Sequence, residues 1–121
     1  MKIVNPVARK GEAIACQYLK RQGYKILERN FRKGYGELDI IAVHQNVLVF
    51  VEVKTRTSQE FGSPLEAIAP WKLRSLIKTA QFYKMTHKNL PEQLRIDAVS
   101  VILSPSGEGE KVEHIENITG F

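Results

Sequence analysis

The stretch from Gly36 to Lys54 constrains this chain more than any other. Side chains alternate across an extended strand, so Leu38, Ile40 and Ala42 share one face of its first half, while Ile41 and Val43 share the other with Glu37 and Asp39. The second half repeats the pattern, with Val47, Val49, Val51 and Val53 on one face and Leu48, Phe50, Glu52 and Lys54 on the other. Strands that are apolar on both faces need cover on both, which puts them in the middle of a sheet with helices on either side. His44-Gln45-Asn46 between them has the spacing of a hairpin turn.

The charges of this stretch gather at its open end. A turn at Gln45-Asn46, or over the four residues His44 to Val47, sets Asp39 opposite Glu52 and Glu37 opposite Lys54, all on one face. A three-residue loop would set Asp39 opposite Val51 and scatter the charges over two covered faces. The first register is expected, because it collects them in one pocket. Directly opposed residues have Cβ atoms about 4.5–5.5 Å apart, and like charges that close repel. Something positive has to sit between Asp39 and Glu52. Lys54 can supply part of it; a hard divalent cation such as Mg²⁺, which takes carboxylate, carbonyl and water oxygens, supplies it more fully. Glu12 falls at the border of the apolar stripe of the first helix, beside Cys16 and Leu19, where it either reaches the same ion or pairs with a nearby Lys or Arg.

The rest of the chain supplies the covering helices. Asn5-Pro6 is a helix start, and Val7, Gly11, Ile14, Ala15, Tyr18 and Leu19 keep a helical period until Gly23. Tyr24 to Glu28 reads as a short strand and Asn30 to Gly36 as a basic loop. Residues 54 to 63 are polar and loop-like, and Ser63-Pro64-Leu65-Glu66 has the spacing of a capping box. Pro70 starts a second helix along Leu73, Leu76, Ile77, Ala80 and Tyr83, running to about His87. Leu94 to Leu103 reads as a long strand, Ser104 to Glu110 as a turn and Lys111 to Glu116 as an edge strand. The expected class is α/β, a central mixed β-sheet flanked by helices in α-β-β-β-α-β-β order. At 121 residues, without repeats or a linker, residues 1–121 are expected to form a single domain.

Composition narrows the partners. No apolar run approaches the ~20 residues of a membrane helix, and Met1 to Gly11 lacks the apolar segment of a signal peptide, so a cytoplasmic protein with no membrane partner is expected. Cys16 is the sole cysteine, which excludes an internal disulfide and suits a small buried hydrophobe. The net charge of +5 is uneven: residues 1 to 36 hold nine Lys/Arg against two acids, and residues 54 to 95 hold eight against three. Two basic segments around an acidic centre suit a polyanion approaching a carboxylate-held metal; solvated helix faces are the plainer alternative.

Glu12 in the first helix, Asp39 entering one central strand and Glu52-Val53-Lys54 on the next resemble the active-site pattern of the PD-(D/E)XK nuclease superfamily, the restriction-endonuclease-like fold. More narrowly, Gly36-Glu37-Leu38-Asp39-Ile40-Ile41-Ala42, Val49-Phe50-Val51-Glu52-Val53-Lys54-Thr55-Arg56 and Arg95-Ile96-Asp97-Ala98-Val99 resemble the YraN family (UPF0102), itself similar to archaeal Holliday-junction resolvases. Leu38 stands where the superfamily's label has proline. The resemblance implies a metal-dependent endonuclease hydrolysing phosphodiester bonds in DNA, with branched or structured DNA suggested by the resolvases. Asp39, Glu52, the Val53 carbonyl and Glu12 would hold Mg²⁺ or Mn²⁺. Lys54 would act on the attacking water or the transition state, and Glu37 would stand outside the metal's ligands. Asp97 is either a further site residue or a structural hydrogen-bond partner. Resolvases act in pairs, so a homodimer is also implied.

Basic side chains would then hold the nucleic acid: Arg29, Arg32 and Lys33 ahead of Glu37, Arg56 after Lys54, and Arg74, Lys78 and Gln81 on one face of the second helix. Trp71, Phe82 and Tyr83 are expected in the core rather than stacked on bases, and His44, His87 and His114 are too scattered for a local zinc motif. The alternative function is a non-catalytic module that binds nucleic acid or a partner protein on the same fold.

Overall fold

Asn5 begins the first helix, α1 (Pro6–Arg21), by accepting hydrogen bonds on Oδ1 from the Val7 and Ala8 amides at 2.9 and 3.4 Å, with Pro6 in the first turn. The computed structural model describes residues 5–34, 36–57, 68–106 and 110–120. The helix buries Gly11, Ala15, Cys16 and Leu19 and ends before Gly23, whose φ of +91° a side chain would resist. Gly11 is needed for another reason: a Cβ there would run into the side chain of Thr55 in the sheet beneath.

Five strands follow in the expected order, β1 (Lys25–Lys33), β2 (Gly36–His44), β3 (Val47–Thr57), then, after helix α2 (Pro70–Thr86), β4 (Gln93–Leu103) and β5 (Glu110–Ile115). They form one mixed sheet in that spatial order; β3 and β4 are parallel, with α2 lying between them in the chain, and the other pairs are antiparallel. The expected α/β class and element order are observed. Gln45 and Asn46 make a two-residue turn with φ of 48° and 63°, which gives the strands the twist of a type I′ hairpin. His44 pairs with Val47 and Ile40 with Val51, the register that the charge pattern required.

Two boundaries and one face assignment differ from expectation. The basic run Asn30 to Lys33 is strand rather than loop, because Phe31, Arg32 and Lys33 pair with Leu38, Glu37 and Gly36; exposed charges are what an edge strand carries. Residues 55 to 57 are likewise strand, held by Val101, Ile102 and Leu103 of β4. Leu38 packs under α2 with Ile41, Phe50, Leu76 and Tyr83, not with Ile40 and Ala42, which lie under α1 with Val49, Val51 and Val99. The alternation of β2 therefore slips at Asp39. The Ser63-Pro64-Leu65-Glu66 segment and Tyr35 lie outside the described residues.

Phe50 and Ile96 on one face and Val49 and Val99 on the other are wholly buried, so the middle strands are covered on both sides as their composition demands. Cys16 is a free, buried thiol. Among the described residues no helix is long and apolar enough to cross a membrane.

Candidate active site at a strand fork

β3 stays paired with β4 along its whole length but parts from β2 beyond the Ile40–Val51 pair. The next residue of β2 is Asp39. Its Oδ2 accepts the Val53 amide at 2.8 Å, filling the place that a backbone carbonyl of β2 would otherwise take. The N–H and C=O of one residue in an extended strand leave by the same edge, so the Val53 carbonyl also faces this fork. The slip at Asp39 coincides with this bond, in which its side chain reaches across the fork to β3.

Glu52 stands beside it. Asp39 is 8% exposed and Glu52 5%, and the two carboxyl groups lie within hydrogen-bonding reach of each other. Burial pushes the Glu52 carboxyl up to about 8, and the hydrogen bond and negative charge of Asp39 push it the same way, against the opposing charges of Lys72 and Lys54. Glu52 Oε2 is buried without a hydrogen-bond partner; the nearest cation, Lys72 Nζ, is 3.6 Å away. A buried carboxylate oxygen left unsatisfied beside a second carboxylate is the environment that a cation relieves.

A cavity of about 440 Å³ opens onto this pair. Glu12 and Arg9 of α1, Arg32 and Asn30 of β1, and Glu37, Asp39, Glu52 and Val53 line it. The sheet fork therefore brings Glu12, Asp39, Glu52 and Val53 to one cavity. Lys54 is not among its lining residues, although its charge acts on Glu52. Glu37 lines the cavity on the α1 side and pairs with Arg32 at 3.3 Å rather than with Lys54. Among the described residues, no three His, Cys, Asp or Glu side chains cluster tightly enough to enclose an ion alone. Two carboxylates and a carbonyl at the fork match a hard cation that keeps some of its water, as Mg²⁺ does.

Lys72 is the residue that the sequence reading missed. It sits next to Leu73 of the apolar stripe, in the first turn of a helix, and only the packing of α2 on the sheet brings it to Glu52. The expected nucleic-acid residues divide between two places. Arg32 lines the acidic cavity, whereas Lys33, Arg74 and Lys78 line a second one with Trp71 and Phe82. Arg29 and Gln81 are exposed and Arg56 half-buried, outside both linings.

Asp97 is structural. It is fully buried and accepts from Arg95 Nε at 2.8 Å, Arg95 Nη2 at 3.0 Å and the Asn117 amide at 2.9 Å, with His114 Nε2 at 2.8 Å. Burial alone would raise its carboxyl, but the hydrogen bonds from His114, Arg95 and Asn117 outweigh it and hold Asp97 below the usual range. The histidines do not converge: His44 stacks on Tyr24, His87 on Tyr83, and His114 meets Asp97. Tyr83 is buried as expected and Phe82 half-buried, but Trp71 is 65% exposed.

The model of "Uncharacterised protein family UPF0102" matches residues 11–101 of the chain. A UPF0102 protein of Caldanaerobacter subterraneus subsp. tengcongensis is 48% identical over 120 residues, covering 97% of this chain and 98% of its own. One from Syntrophomonas wolfei subsp. wolfei is 48% identical, covering 88% and 91%. Another from Geobacter metallireducens is 44% identical, covering 89% and 87%.

Proposed function

The chain belongs to the uncharacterised protein family UPF0102, and from that premise and the strand fork we propose that it is a metal-dependent endonuclease hydrolysing phosphodiester bonds in DNA. One observation carries the reading: a buried Asp39–Glu52 pair with an unsatisfied oxygen, opening onto a cavity flanked by Arg9 and Arg32. A pure binding surface has no use for two carboxyl groups crowded together in a covered position.

Asp39, Glu52 and the Val53 carbonyl would hold Mg²⁺ or Mn²⁺, with Glu12 at the cavity wall. When bound, such an ion lowers the pKa of a coordinated water and neutralises charge on a scissile phosphate. The chain's own residues do the rest. Asp39 is fixed by the Val53 amide, so its carboxylate is already oriented before substrate arrives. Lys54 and Lys72 bring positive charge to the Glu52 side, where they would stabilise the negative charge that builds on the phosphate oxygens. Arg9 and Arg32 would hold neighbouring phosphates by charge-assisted hydrogen bonds. The reading implies a cytoplasmic protein; a homodimer would let two such sites cut two strands.

The contact between Lys72 and Glu52 favours a second reading, a nucleic-acid or partner-binding module, because an amine already offsets part of the acid's charge. Single-stranded, duplex, flapped and four-way DNA incubated with Mg²⁺ or Mn²⁺ separate the two. Cutting by the parent protein that Asp39→Ala and Lys54→Ala both lose supports the nuclease. Binding that survives both changes, with no cutting under any condition, supports the module.

A further inference from the structure

On the α2 side of the sheet lies a second cavity, of about 480 Å³, a volume typical of sites for small ligands. Lys33, Arg74 and Lys78 line it, and among the described residues no carboxylate does, so it favours an anion. Its other walls are aromatic. Trp71 stands 65% exposed at the helix start, and Phe82 has Lys33 Nζ 5.1 Å from its ring centroid. An indole left open beside three cations selects a ligand that is both planar and negatively charged, which describes a nucleotide in a strand.

The two cavities lie on opposite faces of the sheet but are lined by residues adjacent in sequence. Gly36 lines the basic one and Glu37 the acidic one; Trp71 lines the basic one, and Lys72 next to it reaches Glu52. Adjacent Cα atoms are only about 3.8 Å apart. A Cβ on Gly36 would run into Thr79, so the close approach of α2 to β2 depends on that glycine. Both cavities take lining from the ends of β1 and β2, at Arg32 and Glu37 for one and Lys33 and Gly36 for the other, so a strand that passes around that end of the sheet can meet the acid pair with one phosphate and Trp71 with a later base.

Resting on the nucleic-acid reading above, we propose that this cavity seats an unpaired base of the substrate strand against Trp71, with Arg74, Lys78 and Lys33 on the flanking phosphates. A base within a continuous duplex is stacked on its neighbours and cannot present a face to the indole without leaving the stack. The substrate class is accordingly single-stranded, flapped or branched nucleic acid.

Trp71 is the chain's one tryptophan, so its emission reports on the cavity directly. With divalent metal chelated to prevent cutting, the protein is titrated with an oligothymidylate, its fully abasic analogue, a blunt duplex of the same length and thymidine monophosphate. The oligothymidylate is expected to quench Trp71. The abasic strand should bind roughly tenfold more weakly, at the scale of one stacked base, and leave emission unchanged. Trp71→Leu, an exposed position, should keep its melting temperature and lose roughly tenfold in affinity for the labelled single strand, but about twofold or less for duplex. Equal affinity for abasic and thymidine strands, or tight single-strand binding without a change in Trp71 emission, overturns the base site while leaving the nuclease reading intact. A mononucleotide that quenches as tightly as the strand overturns the strand as ligand. No binding to any nucleic acid overturns both.

Discussion

Two buried acid sites on neighbouring strands of this sheet have opposite electrostatics. Asp97 of β4 pairs in register with Val51, one residue before Glu52 of β3. Asp97 has a guanidinium, an imidazole and an amide around it, whereas Glu52 has a second carboxylate beside it and an oxygen without a hydrogen bond, with Lys72 Nζ no closer than 3.6 Å. Burial is common to both, so burial does not tell the two acids apart. Unmet bonding capacity does.

The largest expected effect comes from breaking the satisfied site. Asp97→Ala removes the buried carboxylate that Arg95, the His114 ring and the Asn117 amide share, leaving Arg95 only Glu116 at 3.5 Å, and should cost about 3–5 kcal/mol in urea unfolding. A loss below about 1 kcal/mol would put Asp97 in the wrong class.

Breaking the unsatisfied site should hit activity instead. Asp39→Ala is expected to lower cleavage by roughly 10² or more while the fold persists, since the change relieves repulsion as well as removing the bond to Val53. Glu52→Gln should abolish cleavage similarly, yet stabilise the metal-free protein at pH 8.5 by about 1–2 kcal/mol, because it removes a buried charge that Lys72, at 3.6 Å, offsets only in part.

The pH dependence separates the sites by sign. Glu52 is raised from 4.5 to about 8, so its contribution favours the fold fully below pH 4.5 and is lost as pH rises towards 8. The metal-free protein should therefore melt lower at pH 8.5 than at pH 6, and Mn²⁺ should raise the melting temperature more at pH 8.5, where no proton competes. Asp97 is held below 3.8, so its stabilisation is present above that value and is lost only in more acidic solution. Glu52→Gln should flatten the alkaline limb and leave the acid limb alone.

The smallest effect belongs to Arg32–Glu37, at 3.3 Å but with side chains 49% and 31% exposed. Arg32→Ala should change stability by less than ~1 kcal/mol while weakening DNA binding and flattening its salt dependence.

The hairpin and its acids were legible because two local rules agree there. Gln45-Asn46 suits a turn with positive φ, and the register it fixes carries Asp39 to Glu52. Features that depend on distant partners were not legible. Asn30 to Lys33 resembles a loop until β2 pairs with it, and Lys72 resembles a surface lysine until α2 docks. Asp97 was ambiguous because, although Arg95 is near in sequence, His114 and Asn117 come from a later part of the chain. Leu38 lies on the face opposite to the one strict alternation predicts, because alternation cannot anticipate an aspartate that bonds to the neighbouring strand's backbone. Three aromatics on one helix suggest core, and only the packing leaves Trp71 outside.

The most direct test is calorimetric titration of the metal-free protein with Mn²⁺ at pH 7.5, in two buffers of different ionisation enthalpy. One ion should bind per chain and release a proton as Glu52 ionises, and Asp39→Ala should remove both signals. Absence of binding, or binding that Asp39→Ala leaves unchanged, would contradict a cation site at the strand fork.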